Sequence, residues 1–151
     1  MSFLNKVINN VADEDLKEVL QQRVEIIGHK IKFMDKVPVA CLDTENRSSI
    51  ILSHLIEAAG GLVQEDPNQA RVVIYHEPNM RLVELMGMVP ALISPQWPAV
   101  EFSRLYLIEN EALAAGDPSV LVAALEDIAE MLYPGYFVFG NEGKSWISFG
   151  V

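Results

Sequence analysis

The run Arg104-Leu105-Tyr106-Leu107-Ile108, then a short loop over 110–116, then Asp117-Pro118-Ser119-Val120-Leu121, decides the fold class. Four consecutive apolar residues bounded by polar ones predict a buried strand. Asp117-Pro118 opens a helix, since an aspartate can accept from free N–H groups and proline is preset for the first helical position. Leu121, Ala124, Leu125, Ile128, Met131 and Leu132 recur on one face of that helix, and Pro134 stops it. A strand passing to a capped helix through a short loop is where α/β proteins usually place ligands.

The same pattern extends upstream. Val37 to Leu42 predicts a first strand with the exit loop Asp43-Thr44-Glu45-Asn46. Ser48 or Ser49 can cap the helix that follows, whose apolar positions are Ile51, Leu52, Leu55, Ile56 and Ala59. Gly60-Gly61 ends it by supplying a left-handed residue. Residues 62–64 predict a short second strand and residues 71–75 a third, with the exit loop His76-Glu77-Pro78-Asn79. A helix is expected over 80–88, then a weak strand over 89–93 interrupted by Pro90.

Residues 13–34 predict the first long helix. Leu20, Val24, Ile27, Ile31 and Met34 form a narrow stripe that suits either its own domain or a coiled-coil-like partner. Residues 1–12 read as a loosely docked arm. The aromatic runs 136–139 and 145–149 flank Gly140-Asn141-Glu142-Gly143-Lys144, a β-hairpin signature.

Alternating strands and helices predict an α/β class, a layered Rossmann-like single lobe with a mainly parallel sheet of about four strands. The division expected is an arm and long helix over 1–36, the lobe over 37–134 and the hairpin over 135–151. One feature resists. About five residues separate the second and third strands, whereas a parallel crossover needs about a dozen. Asp66-Pro67-Asn68 is good turn chemistry, so the second strand either pairs antiparallel to the third or is an edge fragment.

Bulk properties narrow the function classes. The 151 residues suffice for one domain with a real core, and 50% are hydrophobic. A net charge of −10 argues against nucleic-acid backbones and anionic membrane surfaces. The lone cysteine, Cys41, excludes an intrachain disulfide and a cysteine-based zinc site, and its apolar neighbours predict a buried thiol. No apolar run reaches membrane-span length and no signal-peptide pattern opens the chain, so a cytoplasmic protein without membrane insertion is expected.

Trp97-Pro98-Ala99-Val100 leading to Arg104-Leu105-Tyr106-Leu107-Ile108, then the helix closed by Tyr133-Pro134, resembles the closing segment of ABC-transporter substrate-binding proteins. The nearest class has a helical backbone between two lobes, the cobalamin- and iron-siderophore-binding family. Residues 16–36 resemble its spine helix. Val37-Pro38-Val39-Ala40-Cys41-Leu42, with a helix ending Ala59-Gly60-Gly61, resembles the start of its C-terminal lobe. The resemblance covers about residues 16–134 and has no counterpart of the N-terminal lobe. It implies a non-catalytic binding or interaction module. It also implies a small-molecule ligand held at the exit loops, and two copies as a dimer could rebuild a two-sided cleft. A corrinoid, siderophore or metal is the ligand class if the chain is an exported transport component.

The three exit loops should converge at one sheet edge. They carry Asp43, Thr44, Glu45, Asn46, His76, Glu77, Asn79, Asn110 and Glu111. Carboxylates with one imidazole can bind a divalent metal or move protons, so an enzyme using His76 with Glu77, Asp43 or Glu45 stays open. No Walker loop, dinucleotide fingerprint, nucleophile elbow or His-Glu-x-x-His motif occurs, and the residues name no cofactor.

Overall fold

The computed structural model describes residues 3–109 and 116–149, apart from the side chains of residues 50 and 51. The order is α1 (Phe3–Asn9), α2 (Glu14–Ile31), β1 (Val37–Leu42), α3 (Ile50–Ala58), β2 (Gly61–Val63), β3 (Val72–Tyr75), α4 (Leu82–Met88), α5 (Pro98–Glu101), β4 (Leu105–Ile108), α6 (Pro118–Leu132) and β5 (Trp146–Ser148). The strands form one sheet in the order β2-β1-β3-β4-β5, parallel except for β5.

The strands read as unbroken apolar runs because both faces are covered. Val39, Cys41, Val72, Ile74, Tyr106 and Ile108 face one core with α1, α2, α3 and α6. Their alternates Ala40, Leu42, Val73, Tyr75, Leu105 and Leu107 face the other, with α4 and α5. This is the period-two alternation of side chains along a strand, and it makes a three-layer α/β architecture.

Helix boundaries follow local chemistry. Asp117 Oδ1 accepts from the N–H groups of Ser119 at 2.9 Å and Val120 at 3.3 Å, with Pro118 in the first turn of α6. Asp13 caps α2 in the same way, accepting from Asp15 and Leu16. The α2 stripe packs within its own domain: Leu20 and Ile27 are buried against the α6 layer, each contributing about 1.5–3 kcal/mol. Arg23 donates from Nε to Glu126 Oε2 of α6 at 3.1 Å and pairs through Nη2 with the other carboxylate oxygen.

Four local expectations are corrected. The supposed arm contains α1, which buries Leu4 and Ile8 in the core. The segment expected as a weak strand over 89–93 is a 3-10 turn, Val89–Ala91, because Pro90 has no N–H for a ladder. The aromatic runs do not pair as a hairpin. β5 runs antiparallel along β4, with Tyr106 opposite Ser148 and Ile108 opposite Trp146, satisfying an edge that would otherwise leave backbone groups unpaired. Residues 136–139 instead turn under α6, where Phe137 is buried and the Phe139 N–H donates to Glu130 at 2.7 Å.

The fourth correction concerns β2. The antiparallel pairing with β3 is overturned, while the edge-fragment alternative holds: β2 is a three-residue strand at the sheet edge, paired in parallel with β1. Val39 has Val63 opposite it on one side and Val72 on the other. β2 therefore ends at the level where β3 begins, and the chain only has to move sideways. Two strand spacings, about 10 Å, need no helix. The Gln64 N–H donates to Val39 O at 2.8 Å and the Arg71 N–H to Pro38 O at 2.9 Å, so both ends of the crossing are tied to β1. Asp66 caps the turn Pro67–Gln69 between them.

Candidate functional site

The C-terminal ends of β1, β3 and β4 share one edge of the sheet, and the loops leaving β1 and β3 are bonded to each other. Thr44 donates from its N–H to Glu77 Oε1 at 3.2 Å and from its hydroxyl to the same oxygen. Asn46 adopts a left-handed φ of 58°, which asparagine tolerates better than most residues. Its Oδ1 accepts from the Tyr75 hydroxyl at 2.8 Å, and its Nδ2 donates to Leu92 O at 3.0 Å, behind α4. Burial raises the Tyr75 phenol well above its ordinary value, so it stays a donor.

Asp43 organises its own loop. It accepts from the N–H groups of Glu45 at 2.8 Å and Arg47 at 2.9 Å, and from Arg47 Nε at 3.2 Å. Burial works to raise its pKa, but the Arg47 and Glu45 N–H groups and the Arg47 guanidinium outweigh it, so the carboxyl sits below its ordinary value. Arg47 also pairs with Glu45 at 2.6 Å. His76 is buried, with its N–H donating to Leu42 O at 3.0 Å. Asn79 is exposed at φ 65°, in a turn where the Met80 N–H donates to Glu77 O.

Thr44, Asn46 and Glu77 are thus brought together, with Asp43 and Glu45 gathered around Arg47 beside them. Asn110 and Glu111 lie outside the described residues. Among the described residues no group of three or more His, Cys, Asp or Glu is placed to hold a metal ion. The carboxylates of Asp43 and Glu77 are occupied in holding loops, so the arrangement is a braced polar rim that leaves Glu45 exposed. Three further residues were not among those expected at the site. Glu109 Oε2 accepts from the Leu82 N–H at 2.7 Å, tying the β4 exit to the start of α4. Val83 and Met86 lie exposed on α4, the helix that Glu109 ties to the β4 exit, at 78% and 44%. Glu109 directly follows the apolar run of β4, the position that could have pointed to it; exposed apolar residues on a short helix carry no such signal.

No family model matches the sequence, and no curated protein matches it. Among solved structures, the chain is similar to a TroA-like periplasmic binding protein, FepB, from Veillonella parvula. The TM-score is 0.60 at 14% identity, over 82% of this chain and 47% of that one. The class defined is therefore architectural: an α/β fold consistent with one lobe of a TroA-like binding protein. The chain spans about half the length of that neighbour. Among the described residues no helix is long and apolar enough to cross a membrane.

Proposed function

We propose that this chain is a non-catalytic binding module, built like the C-terminal lobe and spine helix of an ABC-transporter substrate-binding protein. Its ligand side is the C-terminal edge of the sheet. The observation that supports this most is the bonding of the β1 and β3 exit loops through Thr44 and Glu77, at the edge where open α/β sheets take ligands. A rim whose geometry is set before binding loses less freedom when a ligand arrives. The ligand is a small molecule that meets the exposed Glu45 and Asn79 and the apolar flank of α4.

A lone lobe offers one wall of a cleft, and a second copy supplies the other. Leu16, Val19 and Ile26 on α2 remain 39%, 49% and 55% exposed, an apolar row suited to pairing spine helices.

Native mass spectrometry of freshly purified protein reports copy number and any retained small molecule together. A bound species whose addition shifts the backbone resonances of residues 43–46 and 76–80 supports the reading. Shifts confined to another surface, or no ligand among corrinoids, siderophores and divalent metals, overturn it. A monomer at high concentration in light scattering removes the paired cleft.

A further inference from the structure

The opposite edge of the sheet carries a pattern that the ligand side does not use. The residue immediately before each of three adjacent parallel strands is a cation: Lys36 before β1, Arg71 before β3 and Arg104 before β4. Parallel pairing brings these N-terminal ends to one edge in a stagger, since Val39 is level with Val72 and Val73 with Leu105, so the three cations form a diagonal about 14 Å long. In a chain of net charge −10 this is a local reversal of sign. Two concavities of about 610 Å³ and 410 Å³ open here, and both are lined by Arg71 and Arg104. Among their described lining residues only Asp35 is acidic. Phe102 lines the first at 66% exposure and Phe33 the second at 92%.

We propose that this edge docks an acidic, extended polypeptide segment of another protein, its carboxylates on the row Lys36, Arg71 and Arg104 and its apolar side chains on Phe33 and Phe102. Among the described residues neither Lys36 nor Arg71 enters an ion pair, so both charges are available. Arg104 is committed: Nε donates to the Tyr106 hydroxyl at 3.0 Å and Nη2 to Met131 O at 2.9 Å. It contributes fixed positive charge but no free fork. A compact anion such as phosphate needs convergent donors, and this row spreads its charge across three strands. An extended segment matches it, because alternate side chains on one face recur about every 7 Å. Acidic-motif recognition by basic clusters is a known mode of peptide binding. Nucleic acid is disfavoured by the net charge.

The test is fluorescence anisotropy with a labelled peptide of alternating Glu and Leu, its Gln-for-Glu counterpart, and inorganic phosphate as competitor at matched ionic strength. The acidic peptide binds, the Gln peptide does not, and affinity falls as salt rises from about 0.05 M to about 0.3 M. The pair Lys36→Glu with Arg71→Glu weakens binding by about tenfold or more, and Phe33→Ser with Phe102→Ser by several-fold. All four side chains are exposed, so unchanged thermal midpoints verify folding. Equal binding of both peptides, indifference to the charge reversals, or displacement by phosphate overturns the proposal. Concentration-dependent self-association that the charge reversals abolish also overturns it, in favour of a second copy. None of these outcomes bears on the C-terminal edge, so the two readings fail separately.

Discussion

The Tyr133 hydroxyl stands 3.0 Å from the carbonyl oxygen of Gly60, and it occupies the space that a Cβ at residue 60 would need, at 2.6 Å. The same hydroxyl lies 2.9 Å from Asp35 O, sharing its proton between the two carbonyls. The end of α6 is thereby pinned to the end of α3 and the approach to β1.

Gly60 has φ +94°, where a side chain is strained even with room to spare. Gly60→Ala should cost about 2–4 kcal/mol from backbone strain and overpacking together. Tyr133→Phe should cost about 1 kcal/mol, through two carbonyls left without their donor. In urea denaturation the double variant should lose less than the sum, since removing the hydroxyl makes room for the new methyl. Additive losses would show that the two residues do not share this space.

The link from Thr44 to Glu77 joins two exit loops that are far apart in sequence. Thr44→Val and Glu77→Gln should each cost about 1–2 kcal/mol. The amide protons of residues 44–46 should then exchange faster while those of β1 stay protected. Uniform acceleration across the domain would mean global destabilisation and no specific brace.

Asp127 is buried, accepting from the Ser145 hydroxyl at 2.7 Å and Asn141 Nδ2 at 3.1 Å. Burial raises its pKa, the two hydrogen bonds oppose this, and Glu130 and Glu126 add to the rise. The folded state therefore holds its proton more tightly than the unfolded chain, whose value is near 3.8. Stability must fall as pH climbs from that value through the raised native one, and the cost is complete above it. Asp127→Asn keeps an acceptor for Ser145 and should remove this component. The stability difference between the wild type and the variant should then move against the wild type across that window. A difference independent of pH would contradict the shift.

Cys41 is 2% exposed on β1, and burial pushes its thiol far above the ordinary range. The thiolate is the reactive form. Thiol reagents at mildly alkaline pH should leave native protein unmodified and label it at the rate of unfolding, faster with added denaturant. Rapid labelling without denaturant would place Cys41 at an accessible site.

Much of the fold was legible because strands buried on both faces have no polar side to hide. Val72-Val73-Ile74-Tyr75 and Leu105-Tyr106-Leu107-Ile108 announce themselves. Asp117-Pro118 and Gly60 mark helix ends through backbone chemistry that acts within a few residues. The placements of β2 and β5 were not legible. Whether residues 61–63 pair with β1 or β3 depends on the level at which Val39 meets both neighbours, and no local pattern encodes a level. β5 is claimed by the open edge of β4, whose need for partners is invisible in residues 136–149. At the rim, the residue types pointed to chemistry, but Asp43 and Glu77 turned out to be engaged in bracing loops.

The sequence by itself determined β1, β3 and β4, the helices α2, α3 and α6, the α/β class and the acidity, because propensity, capping and periodicity are properties of neighbouring residues. Only the tertiary structure decided which loops meet. Lys36, Arg71 and Arg104 are scattered cations along the chain, as Thr44 and Glu77 are unrelated loop residues. Parallel pairing, set by backbone hydrogen bonds between distant segments, aligns the starts of the strands at one edge and their ends at the other. It thereby gathers a basic row on one side of the sheet and a braced acidic rim on the opposite side.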